Sequence, residues 1–213
     1  MVAQHDPLLI LGDPGCGKTT LLRYLALKHA QAIQNGESEA SSTLGKARFP
    51  ILLCIADYAK HGRGKSISDF LALYCSLYEC PHASTNLAEM FAAELKSGNC
   101  LLLLDGLDEI VSIDDRMHVV RQIEDFVRHH STTGNRFVIT SRIAGYRNVR
   151  LNGDYAHYQV QEMDDTQIRH FLDMWCPAVE YAQTPDLSAE ARMLTAKREI
   201  DGIMDAVEHT PDT

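Results

Sequence analysis

Residues 8–19 read LLILGDPGCGKT, and within them Gly12 to Thr19, GDPGCGKT, satisfy the spacing G-x-x-x-x-G-K-[ST]. Four aliphatic residues lead into the glycines and a helix-forming stretch, TLLRYLALKHAQAIQ, follows them. That is the strand, turn and helix context in which such a loop cradles phosphate. Backbone N–H groups can converge on an anion only where glycines permit left-handed turns, and the first turn of the following helix adds its positive end. Gly12, Asp13, Pro14, Gly15, Cys16, Gly17, Lys18, Thr19 and Thr20 are therefore the candidate nucleotide-binding residues. Lys18 is placed to reach the β- and γ-phosphates, and the Thr19 hydroxyl to coordinate Mg²⁺. Cys16 stands inside the loop, where its thiol would make binding sensitive to oxidation.

Working outward, short aliphatic runs alternate with amphipathic segments, the pattern of an α/β domain with a parallel sheet. Five runs are legible: Leu8 to Leu11, Phe49 to Ile55, Cys100 to Leu104, Phe137 to Thr140 and a weaker one at Tyr155 to Val160. Phe49 to Ile55 is apolar throughout and so reads as buried on both faces. The first helix spans about Lys18 to Gln34, with Leu21, Leu22, Leu25 and Ile33 on one side and Gly36 ending it. Residues 35–46, NGESEASSTLGK, read as a mobile loop. A helix from about Ser68 carries Phe70, Leu71, Tyr74, Leu77 and Tyr78, and another runs from Asn86, capped through Glu89, to Gly98. Asp114 and Asp115 open a helix with an apolar stripe at Val119, Val120, Ile123, Phe126 and Val127. After residue 162 the strand signals cease. Asp164 and Gln167 cap a helix bearing Ile168, Phe171, Leu172 and Trp175, the two aromatics packing it on the core, and a last helix from about Ser188 to Glu208 carries Met193, Leu194, Ile200, Ile203, Met204 and Val207.

Two further motifs end on the loop's side of that sheet. In CLLLLDGLDEI, Cys100 to Ile110, a buried strand ends in Asp105, the position of a carboxylate holding a Mg²⁺ shell. Gly106 follows directly, so the water-activating acid is Asp108 or Glu109. In FVITSRIAGYR, Phe137 to Arg147, the fourth strand delivers Thr140, Ser141 and Arg142 to the same edge, where the Arg142 cation can sense a γ-phosphate. Arg147 is a secondary candidate for that role.

Composition narrows the alternatives. The 213 residues are 45% apolar, and 20 Lys and Arg stand against 29 Asp and Glu, a formal charge of −9. An acidic chain without a basic cluster is not built for nucleic-acid phosphates or anionic membranes. No run approaches the roughly 20 apolar residues of a membrane span, and Met1 to Pro7 lacks the pattern of a signal peptide. The six cysteines form no C-x-x-C pair, which fits reduced thiols and a cytoplasmic location. Cys75, Cys80 and His82 are spaced too loosely for structural zinc. His129 and His130 read as favourable charges at a helix end rather than metal ligands.

The segments GDPGCGKTTLLRYLA, LLLLDGLDE, FVITSRIAGYR and HYQVQEMDDTQIRHFLDMW together resemble the NACHT domain of the STAND-class P-loop NTPases, in particular its bacterial, NLR-like branch, over about residues 7 to 176. The extended second motif, Asp105-Gly106-Leu107-Asp108-Glu109, matches that family position by position, and Arg142 matches its sensor arginine. The resemblance implies a three-layer, ASCE-type P-loop fold with a mostly parallel five-stranded sheet over residues 1–162, and a helical segment over 163–213 that begins a truncated helical domain. It also implies ATP or ADP and Mg²⁺ as ligands, Asp105 ordering the metal, and slow hydrolysis serving as a conformational or oligomerisation switch in signalling or defence.

In that family a small helical domain, a winged helix, an effector domain and a repeat-built sensor flank the core. None is legible here, and the chain reads as a core fragment that binds weakly and turns over slowly. Two other readings compete. In one, bound nucleotide only stabilises an interaction module, a reading motivated by Gly106 standing where many ATPases place a Glu. In the other the chain is a different ASCE ATPase, such as an AAA+ machine, though no second sensor helix is legible. No N-K-x-D motif favours GTP.

Overall fold

The computed structural model describes residues 6–78 and 86–209. The chain divides into two compact units, one running up to Val160 and the other from Gln161 onward.

The first unit is built on five parallel strands: β1 (Leu8–Leu11), β4 (Phe49–Cys54), β5 (Cys100–Asp105), β6 (Arg136–Ser141) and β7 (Ala156–Gln159), in the order β4-β5-β6-β1-β7. Strict alternation sorts their side chains into two cores. Leu8, Ile10, Leu101, Leu103 and Val138 meet Leu22 and Leu25 of α1 (Lys18–Gln34) on one face. On the other, Leu9, Leu102, Leu104, Phe137 and Ile139 meet α2 (Ile55–His61), α3 (Ile67–Leu77), α4 (Leu87–Ser97) and α5 (Ile113–Ser131). The result is a three-layer α/β sandwich whose sheet is covered on both faces, which is why β5 can carry four successive leucines, Leu101 to Leu104.

The helix ends follow their capping residues. Ser66, Asn86 and Ser112 accept from the N–H groups of Asp69, Glu89 and Asp115, and Gly98 closes α4 at φ +71°. The expected stripe of α5 is buried in full.

Several expectations need correction. Residues 35–46 are not all loop: β2 (Glu39–Ser41) and β3 (Gly45–Lys46) form a small antiparallel hairpin, its turn tied by Leu44 N–H donating to Ser41 Oγ. β4 is an edge strand whose residues from Pro50 on alternate between half-buried and buried, and Ile55 already belongs to α2 rather than to the strand. On α1, Ile33 is exposed and His29 and Ala32 take the buried face. Leu77 and Tyr78 are exposed too, with the Tyr78 hydroxyl donating to Asp57 Oδ2. Cys80 and His82 lie outside the described residues.

A short helix, α6 (Ile143–Asn148), joins β6 to β7 in the first unit, and the second unit is a helical hairpin of α7 (Asp165–Gln183) and α8 (Ala189–His209). A reciprocal capping box between Asp164 and Gln167 starts α7. The hairpin closes over Leu172, Cys176, Ala196, Ile200 and Met204. Phe171 and Trp175 do not pack inward. They stack on each other, 5.6 Å between ring centres, and both stay exposed, as do Met193, Leu194 and Ile203.

Candidate functional site

Strand register brings the three motifs to one edge. Leu11 pairs with Ser141, Leu104 with Ile139 and Cys54 with Asp105, so the loops after β1, β5 and β6 leave the sheet side by side at its carboxyl end. Gly12 N–H donates to Ser141 O, fastening the first loop to the third.

The 12–19 loop turns through two left-handed glycines, Gly15 at φ +79° and Gly17 at φ +87°. Gly17 is the N-cap of α1 and, having no side chain, leaves the helix's first N–H groups without a side-chain cap. Lys18 bends back over the loop, its Nζ donating to Gly12 O at 2.8 Å and Asp13 O at 2.9 Å. Cys16 Sγ lies 3.5 Å from the same ammonium, and a Cβ on Gly12 would come within 2.5 Å of that sulfur. The glycine thus makes room for the thiol as well as for the turn.

Opposite stands the acidic loop. Thr140 Oγ1 accepts from Gly106 N–H at 2.9 Å and donates to Asp105 Oδ1 at 2.6 Å, which fixes the Asp105 carboxyl against β6. Asp108 is committed elsewhere: it accepts from Arg142 N–H at 2.7 Å and from Ser141 Oγ, and its Oδ2 pairs with Arg142 Nε at 3.1 Å. Glu109 folds over Gly106, whose φ of +80° and missing Cβ make space for that carboxyl. Partial burial pushes the Glu109 carboxyl above its usual range, reinforced by the charges of Asp105 and Asp108 and opposed by Arg142.

Between the loops is a cleft of about 220 Å³. Of the expected residues, Pro14, Gly15, Gly17, Lys18, Thr19 and Thr20 line one wall, while Asp105, Asp108, Glu109 and Arg142 line the other. Gly12, Asp13 and Cys16 do not line the cleft. Arg147 is exposed on α6 and does not line the cleft.

Residues 6–178 match the family model of the NACHT domain. The chain belongs to the NACHT family. NACHT domains are nucleotide-binding P-loop NTPase domains, and the all-parallel five-stranded sheet with flanking helices is consistent with that fold. No curated protein matches the chain.

Thr19 and Asp105 would give this NACHT cleft one hydroxyl and one carboxylate. Among the described residues no cluster of three His, Cys, Asp or Glu could cage a metal. So sparse and hard a donor set fits Mg²⁺, which takes one or two protein oxygens and completes its shell with phosphate and water. None of the described helices is long and apolar enough to cross a membrane.

Three contributors escaped the motif reading. Thr140 is legible in sequence as an edge residue, but its bond to Asp105 is not. Gly145 abuts Asp108, where an added Cβ would lie 2.4 Å from the Asp108 Cβ. Arg116, only 9% exposed, stands on the buried face of α5. Its signal was present: a cation one turn before Val119 and Val120, on the apolar stripe.

Proposed function

We propose that the cleft binds ATP or ADP with Mg²⁺ and slowly hydrolyses ATP, the nucleotide state acting as a conformational or oligomerisation switch in cytoplasmic signalling or defence. Residues 163–213 are then the start of a further helical domain. The observation that carries the hydrolytic part is the division of labour between neighbouring acids: Asp108 is spent on Arg142, while Glu109 lines the cleft with a raised carboxyl.

In this reading the backbone N–H groups of residues 15–19 and Lys18 hold the phosphates. Thr19 and Asp105 hold Mg²⁺, which supplies charge neutralisation at the phosphate oxygens when bound. Glu109 accepts a proton from the water that attacks the γ-phosphorus as the bond to the ADP oxygen breaks. Arg142, kept near by Asp108, offers its cation to the charge on the departing phosphoryl group.

Single-turnover hydrolysis tests it. Glu109→Gln should lose about 10²-fold or more, the usual worth of a general base. Asp108→Asn should lose less, through a loosened Arg142. Equal, low rates in the parent and both variants would instead favour the non-catalytic interaction module, the reading that Gly106 directly after Asp105 supports.

A further inference from the structure

Arg116 is a buried guanidinium whose hydrogen bonds all go to main-chain carbonyls. Nε donates to Ile110 O at 3.0 Å, Nη2 to Asp108 O at 3.0 Å and Nη1 to Gly145 O at 3.4 Å. A cation removed from water needs its donors satisfied, and a planar fork can serve several acceptors at fixed angles, which an ammonium cannot. The acceptors belong to two separate segments, the acidic loop and α6. Gly145 supplies an independent second observation, because only a residue without a Cβ lets α6 come this close to Asp108. The guanidinium ties the segments together and the glycine permits the approach.

We propose that Arg116 is a positioning residue that clamps the acidic loop 106–110 to α6, so that Asp108 and Arg142 stay paired and Glu109 keeps its place in the cleft. Arg142 N–H, at the start of α6, donates to Asp108 itself, so the clamp and the ion pair secure the same two segments. Arg116 does not line the cleft. Its influence on turnover rests on the hydrolytic reading above, whereas the clamp does not.

Hydrogen exchange of the full chain tests the clamp without nucleotide. In Arg116→Lys, and separately in Gly145→Ala, residues 106–110 and 142–148 should both exchange about tenfold faster, with residues 8–34 unchanged. Parent rates in both segments, or an even rise through the whole sheet, would overturn it. If Arg116→Lys does not fold, Gly145→Ala reads the same clamp from its other side.

Steady-state kinetics then test the effect on chemistry. Arg116→Lys should lower kcat about tenfold and leave KM within about threefold. Combined with Asp108→Asn it should cost no more than Asp108→Asn alone, since both act on one pairing. Additive losses, or a change in KM alone, would overturn the positioning role. A parent without turnover would refute the hydrolytic reading, and the exchange rates would still decide the clamp.

Discussion

Asp108 accepts two hydrogen bonds and an ion pair from Ser141 and Arg142, while the carboxyl of Glu109, the next residue, folds over Gly106. Sequence left the two acids equivalent because their difference depends on residues some thirty positions away, and only strand register brings those near. The raised Glu109 carboxyl carries a pH consequence. If Glu109 is the base of the proposed hydrolysis it must be deprotonated to work, so kcat should fall as pH drops through the Glu109 value, above the ordinary 4.5 of a glutamate, and Glu109→Gln should abolish that limb. A limb unchanged in the variant would assign it to another group. Stability has its own titrating residue in His29, 1% exposed, whose Nδ1 accepts from Arg48 N–H. Burial, then the Arg48 charge, holds its pKa below 6.5. As pH falls through the unfolded value, the unfolded chain takes up a proton that the native imidazole refuses, so stability is full above that value and declines below it. His130, lowered by burial and by His129, adds to the slope, and the raised carboxyl of Asp6 opposes it at lower pH. His29→Gln should therefore lose less Tm than the parent between about pH 7.5 and about pH 5.5 in thermal scans. An equal loss would exclude His29.

Among the elements, glycines separate two kinds of helix. Gly98, ending α4 at φ +71°, has no room for a methyl group: a Cβ would lie 1.8 Å from Thr133 O. Gly98→Ala combines left-handed strain with a backbone clash and should cost about 2 kcal/mol or more in urea unfolding. Gly202, inside α8, meets nothing within 4 Å, so Gly202→Ala should instead stabilise the hairpin by up to about 1 kcal/mol. Loss of stability in the second or none in the first would contradict these environments. Elements with a long period or a firm cap were legible in sequence: all five strands of the sheet, α1, and α5 with its full stripe. Those missed were short or local. Seven-residue α2 sits against Gly62 and Gly64, and the β2–β3 hairpin lies in polar sequence without alternation, held instead by hydroxyl bonds among Ser41, Thr43 and Leu44. Phe171 and Trp175, expected to pack inward, stand exposed for a different reason. A two-helix hairpin has one inner seam, and small residues such as Cys176 and Ala196 filled it in their place.

For the molecule as a whole, a net charge of −9 would repel free ATP, yet Asp105, Asp108 and Glu109 all face the cleft. Part of the deficit is therefore local, where a divalent cation can neutralise it, and the two cations on the cleft, Lys18 and Arg142, come from opposite walls. The motifs located this cleft from sequence because each closes a strand, and parallel strands deliver their carboxyl ends to one edge. What they could not supply was the support behind it: Thr140 on Asp105, and Arg116 and Gly145 behind Asp108, are tertiary relations without a local signature. Binding of nucleotide at the cleft is the claim on which the rest depends, and calorimetric titration of ATP with Mg²⁺ into the parent chain and into Lys18→Ala tests it most directly. The parent should saturate at one site and the variant should bind at least about tenfold more weakly, the worth of one charge-assisted contact to phosphate. Equal affinity in the two proteins would contradict it.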